Sequence, residues 1–457
     1  MKTPALRHVT LALLCGPFLA ALPARAQSAP GQSNPSQSSD DTQLKQVIIF
    51  GRHGVRTPIL PDTYLDGFSA MLFPTFTDSS GAPLGVGVLT PNGATDETIL
   101  GSYFRLWLTQ EGLLTGHDQA DANFVYFRAN NTPLITGTAT AFWTGMLPTA
   151  TPHIQVVAQG SDPLFDPVDA GVAQLDYPTA VAAVNGRLGS NPQALATAYA
   201  PELALTRSIL FDYPVSTTPA PLTPTGKTDV TALPITLGAG DTSLPVTIGG
   251  LTQVIEAIDP FVMEYTDGLP DAQVGWGQLT TGSINQTFRL YDLLLDLEFR
   301  TPYLASVQSS NLASHIVRSM MQASSGSGIW GALANPSTKV IALIASNTNI
   351  VGLAGLFHLD WLLPGYEADV SAPSGALVFE LRQSQSSGAY IVRTVYIAQT
   401  MDQLRNQTAF TLAAPPPSAP VFIPGCSVDN ATFDCPLTTF IGIANQVIDP
   451  HSADLVH

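Results

Sequence analysis

Val47-Ile48-Ile49-Phe50 is an unbroken apolar run that stops at Gly51, the pattern of a strand buried on both faces of a parallel sheet. Phe124-Val125-Tyr126-Phe127 and Val340-Ile341-Ala342-Leu343-Ile344 have the same character. Each run gives way to a loop: Arg52 to Pro58, Ala129 to Pro133, and Ser346 to Asn349. The second and third loops continue into helical stretches. Ligands of open α/β sheets bind beyond the carboxyl ends of the strands, so the three loops are expected to converge on one site. From about 150 to 310 the rhythm is helical, most clearly over Phe288 to Phe299. Residues 214–250 interrupt it with a Pro-, Thr- and Gly-rich stretch whose alternation predicts a short hairpin or irregular excursion. The predicted architecture is α/β: a Rossmann-like, doubly wound mixed sheet from 45–150 and 311–457. A mostly helical second domain, 151–310, is inserted into it.

The amino terminus obeys a different logic. Lys2 and Arg7 precede an apolar stretch, Val9 to Leu22, too short and broken to span a bilayer. Ala24-Arg25-Ala26 then offers a small-x-small cleavage pattern, so 1–26 reads as a signal peptide. The following Ser-, Gln- and Pro-rich tract reads as a disordered linker over 27–44. No later stretch reaches transmembrane length without polar breaks. These features predict a periplasmic or secreted protein with no membrane association after signal removal.

With 457 residues, 45% of them hydrophobic and 12% charged, the chain can bury a large core. Removing Lys2, Arg7 and Arg25 reduces the 18 basic residues to 15, against 35 acidic ones, a net charge of −20. That balance excludes nucleic acid as a partner and gives little steering for highly phosphorylated ligands. Cys15 leaves with the signal. Cys426 and Cys435 remain, either as one local disulfide or as two buried thiols. Two cysteines without a neighbouring histidine make a poor metal site, and neither a metal nor a cofactor is predicted.

The chemistry concentrates in Arg52-His53-Gly54-Val55-Arg56-Thr57-Pro58. Arg52 and Arg56 can offer forked contacts to the non-bridging oxygens of a phosphate, and His53 can attack phosphorus. Gly54 permits close backbone approach, and Pro58 stiffens the exit.

With this loop, the chain resembles the histidine acid phosphatases, in particular bacterial phytases and glucose-1-phosphatases. The resemblance extends through Gly87-Val88-Leu89-Thr90-Pro91-Asn92-Gly93, Asp162-Pro163-Leu164-Phe165, Glu264-Tyr265-Thr266-Asp267-Gly268 and Gly275-Trp276-Gly277. It continues in Leu359-Asp360-Trp361, Leu363-Pro364-Gly365, Leu377-Val378-Phe379-Glu380, and the segment from Gly425-Cys426 to Cys435. It implies a cofactor-free hydrolase fold, a cleft for phosphate esters between core and insertion, and a disulfide between Cys426 and Cys435.

The family pattern also has a third arginine, at the position of Leu134. It has a second histidine followed by an acid, at the positions of Ser346 and Asn347. A proton donor to the leaving oxygen contributes roughly 10²–10⁴ in rate, and Asn347 has no proton to give. No ionisable acid is predicted opposite His53; an acid relocated from the inserted domain, such as Glu264 or Asp267, is the alternative donor. Arg52, His53, Arg56, Ser346 and Asn347 remain as a set for phosphate or a small phosphate ester, with hydrolysis lost or strongly reduced. The alternatives are an active phosphomonoesterase with a rebuilt proton donor, and a partner-binding module with a vestigial cleft. His358, His117, His153 and His315 are expected to be structural.

Overall fold

The computed structural model describes residues 40–214 and 222–454. The expected signal segment lies outside the described residues, as does the expected linker up to residue 39. The expected linker ends sooner than residue 44. Strand β1 (Thr42–Arg52) already pairs at Thr42 with Ser384 and at Leu44 with Arg382, which draws the end of the polar tract into the sheet.

The central sheet is built around β1, β2 (Val125–Ala129), β3 (Ile154–Gln155), β6 (Val340–Ala345), β7 (Ala376–Ser384) and β8 (Tyr390–Ile397). Short strands β9 (Ser418–Pro420) and β10 (Cys435–Pro436) join β8, and the order is β10-β8-β7-β1-β6-β2-β3 with β9 also on β8. The pairs β1/β6, β6/β2 and β2/β3 are parallel, while β7 and β8 run antiparallel. Because β6 lies between β1 and β2, the three apolar runs are neighbours and their loops leave the same edge.

Alternation along β1 sorts its side chains onto two cores. Val47 and Ile49 pack with Leu100, Phe104 and Leu108 of α1 (Pro91–Gln110) and with Phe142 and Trp143 of α2 (Pro133–Met146). Ile48 and Phe50 face Leu312 and Ile316, and on the same side lie Leu353 and Phe440. A strand buried on both faces has no polar position to spare, which explains its continuous apolar sequence.

Further helices are α3 (Tyr177–Arg187), α4 (Ala200–Phe211), α5 (Leu251–Thr266), α6 (Thr281–Phe299) and α7 (Pro302–Ser325). A third apolar cluster joins α3, α5 and α6 to a hairpin of β4 (Thr236–Ala239) and β5 (Val246–Gly249), the hairpin expected from the alternation. Two further helices of 11 residues each are α8 (Asn347–Phe357) and α9 (Leu437–Val447). Cys426 and Cys435 form a disulfide, with Cα atoms 5.1 Å apart. Among the described residues no helix is long and apolar enough to cross a membrane.

Candidate active site

The loop after β1 is held from both neighbouring strands and from α1. His53 N–H donates to Ala345 C=O at 2.9 Å, and Arg52 N–H to Gly375 C=O at 2.8 Å. Thr90 caps α1 by accepting from Gly93 N–H at 2.9 Å, while Thr90 N–H donates to Val55 C=O at 3.1 Å. A Cβ on Gly93 would lie 2.2 Å from the Val55 carbonyl oxygen, so only glycine lets the helix start abut the loop. The Thr-Pro-Asn-Gly sequence is thus the buttress of the His53 loop.

His53 is buried, and its Nδ1 lies 2.9 Å from Gly54 C=O. A carbonyl can only accept, so Nδ1 carries the proton and Nε2 keeps its lone pair. Burial, reinforced by the Arg52 and Arg56 charges, holds the imidazole pKa well below its ordinary value. The ring is therefore neutral and ready to act as a nucleophile even in acid.

Arg56 is fully engaged. Its Nη1 and Nη2 donate to the two carboxylate oxygens of Asp259, each at 2.9 Å, and both side chains are buried. Burial opposes the Arg56 charge, but Asp259 outweighs it and raises the guanidinium pKa. Arg52 takes a different partner, although its charge still acts on His53 and Arg56. It is the last residue of β1, and adjacent residues of an extended chain project to opposite sides. Its guanidinium donates to Ser371 C=O, leaves Nε without a partner, and opens on a separate cavity of about 20 Å³.

His53 and Arg56 line a cavity of about 630 Å³ that also receives Leu134, Ser346, Asn347, Thr348 and Asn349. The three strand-end loops do meet, and of the five residues expected to form the site all but Arg52 line this cavity. Asn347 Nδ2 donates to the hydroxyl of Tyr291 at 3.0 Å. Tyr291 lines both cavities, and burial raises its pKa.

The cavity is not free of acids, although among the described residues no carboxyl is hydrogen-bonded to the His53 ring. Asp166, Asp169, Glu256, Asp259 and Glu298 line the same cavity. Two are engaged: Asp259 by Arg56, and Glu256 by the Tyr64 hydroxyl at 3.0 Å. Asp166 accepts from Asn130 Nδ2 at 2.8 Å, and burial raises its pKa. Glu298 is different: its Oε2 has no partner, and burial, helped by the Asp241 charge, pushes its pKa to about 8. The two earlier candidates do not line the cavity. Glu264 accepts from Gly275 N–H at 2.8 Å, beside the left-handed Trp276, and Asp267 accompanies Thr90.

The missed residues do have a sequence signal. Tyr291, Leu294, Leu295 and Glu298 are spaced i, i+3, i+4, i+7 on α6, and Thr252, Ile255, Glu256 and Asp259 repeat that spacing on α5. All eight line the cavity. An ionisable residue repeating at i+7 on one helix face, beside Leu294 and Leu295 on α6 and beside Ile255 on α5, is the mark that could have found Glu298 and Asp259.

The Asp162-Pro163-Leu164-Phe165 motif has a structural role. Asp162 accepts from Arg128 Nε at 2.9 Å and Nη2 at 2.6 Å, and Asn349 Nδ2 donates to Phe165 C=O at 2.7 Å. His358 occupies the left-handed C-cap of α8, and His315 pairs with Asp454 at 2.8 Å. Among the described residues no group of three or more His, Cys, Asp or Glu could hold a metal ion.

Comparison with known proteins agrees with this geometry. The sequence model of the histidine phosphatase superfamily (branch 2) matches residues 43–206, the stretch that carries the His53 loop. Phytase AppA of Escherichia coli is 28% identical over 443 residues, covering 95% of this chain and 98% of its own. The chain belongs to the histidine acid phosphatase family. A glucose-1-phosphatase of Salmonella typhimurium is 26% identical over 411 residues, covering 88% of this chain and 92% of its own. Among solved structures, the Hafnia alvei phytase in complex with tartrate superposes with a TM-score of 0.78 at 28% identity. The match covers 90% of this chain and 99% of the phytase. The same phytase with myo-inositol hexakis sulphate gives 0.78 at 27% identity. The mixed sheet with its surrounding helices is the fold of this phosphatase family.

Proposed function

We propose that the protein is an exported member of the histidine acid phosphatase family that binds small phosphate monoesters and hydrolyses them poorly. One observation carries this reading. A neutral, buried His53 with a free Nε2 shares its cavity with Leu134, Ser346 and Asn347, none of which can protonate a leaving alcohol.

The chemistry follows from the residues. His53 Nε2 would attack phosphorus as the bond to the alcohol oxygen breaks, and water would then release phosphate and free the imidazole. The departing oxygen needs a proton when the alcohol is a poor leaving group. Without a carboxyl or imidazole at the positions of Ser346 and Asn347 that step slows by roughly 10²–10⁴. Binding tolerates the change better. Arg56 has Asp259 as an internal competitor, Arg52 lends charge from behind, and Ser346 and Asn347 are neutral donors. The relatives' names add phytate and glucose 1-phosphate as ligand classes, and the acidic composition favours an ester with a single phosphate.

Titration calorimetry at pH 5 with inorganic phosphate and a monoester tests the binding half. Micromolar to millimolar binding that Arg56→Ala weakens at least tenfold supports it; absence of binding to both ligands refutes it.

A second reading has its own observation. The Tyr291 hydroxyl accepts from Asn347 and has no acceptor for its own proton among the described residues, so that proton can face a bound ester. Tyr291 would then be the rebuilt donor of an active phosphomonoesterase, a weak one because burial raises its pKa. Tyr291→Phe separates the two: turnover abolished with binding intact favours this second reading, and an unchanged slow rate favours the first.

A further inference from the structure

We infer that the His53 cavity selects phosphate monoesters of an apolar alcohol about 10 Å long that ends in one hydrogen-bonding group, and that Glu298 receives that group. The inference rests on the phosphate reading above and specifies the alcohol half of the ligand, which that reading leaves open.

The cavity has two unlike ends. At one, Asn347 and Tyr291 are hydrogen-bonded beside His53. Seven residues further along the same face of α6 stands Glu298, so the rise of a helix places it roughly 10 Å from Tyr291. Glu298 is only 1% exposed, its Oε2 has no partner, and Gln308 and Ser309 line the cavity with it. A buried carboxyl normally carries a hydrogen bond, because leaving one unmade is costly. Because Glu298 also lines the cavity, this unpartnered carboxyl is the group a ligand reaching that end would satisfy. Its high pKa keeps it protonated in acid, able to donate as well as accept.

Along α6 the stretch between Tyr291 and Glu298 presents Leu294 and Leu295 to the cavity, and other apolar side chains join them. Leu134, Ile135, Phe165, Ile255, Leu294 and Leu295 line the cavity and offer no partner to the hydroxyls of a polyol. The mouth is apolar too. Ile59 is 54% exposed, Val86 51%, Leu244 40% and Val88 38%, and all four line this cavity. Large apolar side chains clustered at one rim mark a binding surface rather than random exposure.

Charge excludes the alternative. Arg56 is the only arginine or lysine lining the cavity among the described residues, and it is paired with Asp259. Four further carboxylic acids surround it, so each phosphate beyond the first would be buried against acids with no cation to meet it. A polyphosphorylated inositol fits this arrangement badly.

The test is calorimetry at pH 5.5 with inorganic phosphate, 2-naphthyl phosphate, 6-hydroxy-2-naphthyl phosphate and myo-inositol hexakisphosphate. The expected order is naphthyl phosphate at least tenfold tighter than phosphate, the hydroxylated ester several-fold tighter again, and the hexakisphosphate no tighter than phosphate. Glu298→Leu should remove the gain from the distal hydroxyl and leave naphthyl phosphate bound. Should that variant fail to fold, Val86→Glu at the exposed rim should weaken naphthyl phosphate but not phosphate. Tighter binding of the hexakisphosphate than of naphthyl phosphate, or equal binding of naphthyl phosphate and phosphate, overturns the inference while the phosphate reading stands. If phosphate and all esters fail to bind, the phosphate reading falls and this inference with it.

Discussion

Asp259 holds both forks of Arg56, so in the unliganded protein a carboxylate sits where a phosphate would bind. The pair is buried, and removing one partner of a buried pair typically costs 3–5 kcal/mol because the other charge is stranded. Asp259→Asn should therefore destabilise the ligand-free protein by about 3 kcal/mol and make Arg56 a better anion receptor. Thermal denaturation with and without 10 mM phosphate checks this. The variant should melt lower than wild type alone, yet gain more from phosphate. An equal phosphate shift in both proteins would show that Asp259 does not compete with the ligand.

At the scale of elements, the site depends on how closely α1 approaches the His53 loop. Gly93 lies against Val55, where a methyl group would meet the carbonyl oxygen at 2.2 Å. Gly93→Ala should push the helix start from the loop, destabilise the protein by roughly 1–3 kcal/mol as overpacking does, and weaken phosphate binding in parallel. Paired melting and calorimetry decide the matter. Lost stability with unchanged affinity would mean that the buttress does not set the loop.

Much of this layer was legible in the sequence. The three buried strands show as uninterrupted apolar runs because both sheet faces are covered, and their loops could be assigned to one edge for that reason. Arg52 was not legible in the same way. A motif lists its residues in a row, but the last strand residue and the next one leave on opposite sides, so Arg52 lines a second cavity while its charge still acts on His53. The acids on α5 and α6 were missed because chemistry was sought in short motifs, whereas a helix spreads one face over seven residues.

Across the whole molecule, burial holds several carboxyls in the neutral form. The pKa of Asp96 is pushed to about 9, and those of Glu97, Glu264, Asp292 and Glu298 to about 8. Desolvation is the main cause in every case, with the Glu97 charge adding to it at Asp96. In the unfolded chain these groups ionise near pH 4, so above that pH the unfolded state binds fewer protons and stability falls. Their contribution is full below about pH 4 and is lost as pH rises towards 8 or 9. Asp118 and Asp434, whose hydrogen bonds and arginine partners overcome burial and lower their pKa, act oppositely and lose stability as pH drops through their folded values. A maximum near pH 4–5 follows. The melting temperature should be roughly 5 °C or more higher at pH 5 than at pH 8.5. A flat profile would mean that water reaches the buried acids.

The central claim is a working nucleophile without an efficient proton donor, and the dependence of rate on the leaving group addresses it most directly. A 4-nitrophenolate departs without help; an alkoxide does not. The measurement is kcat/KM at pH 5 for 4-nitrophenyl phosphate and for a simple alkyl phosphate, with the wild type and with Asn347→Asp. The wild type should favour the nitrophenyl ester by at least roughly 100-fold, and Asn347→Asp should shrink that ratio by restoring a donor. Both activities should vanish in His53→Ala. Comparable wild-type rates on the two esters would contradict the account, because an acid would then already be protonating the departing alcohol.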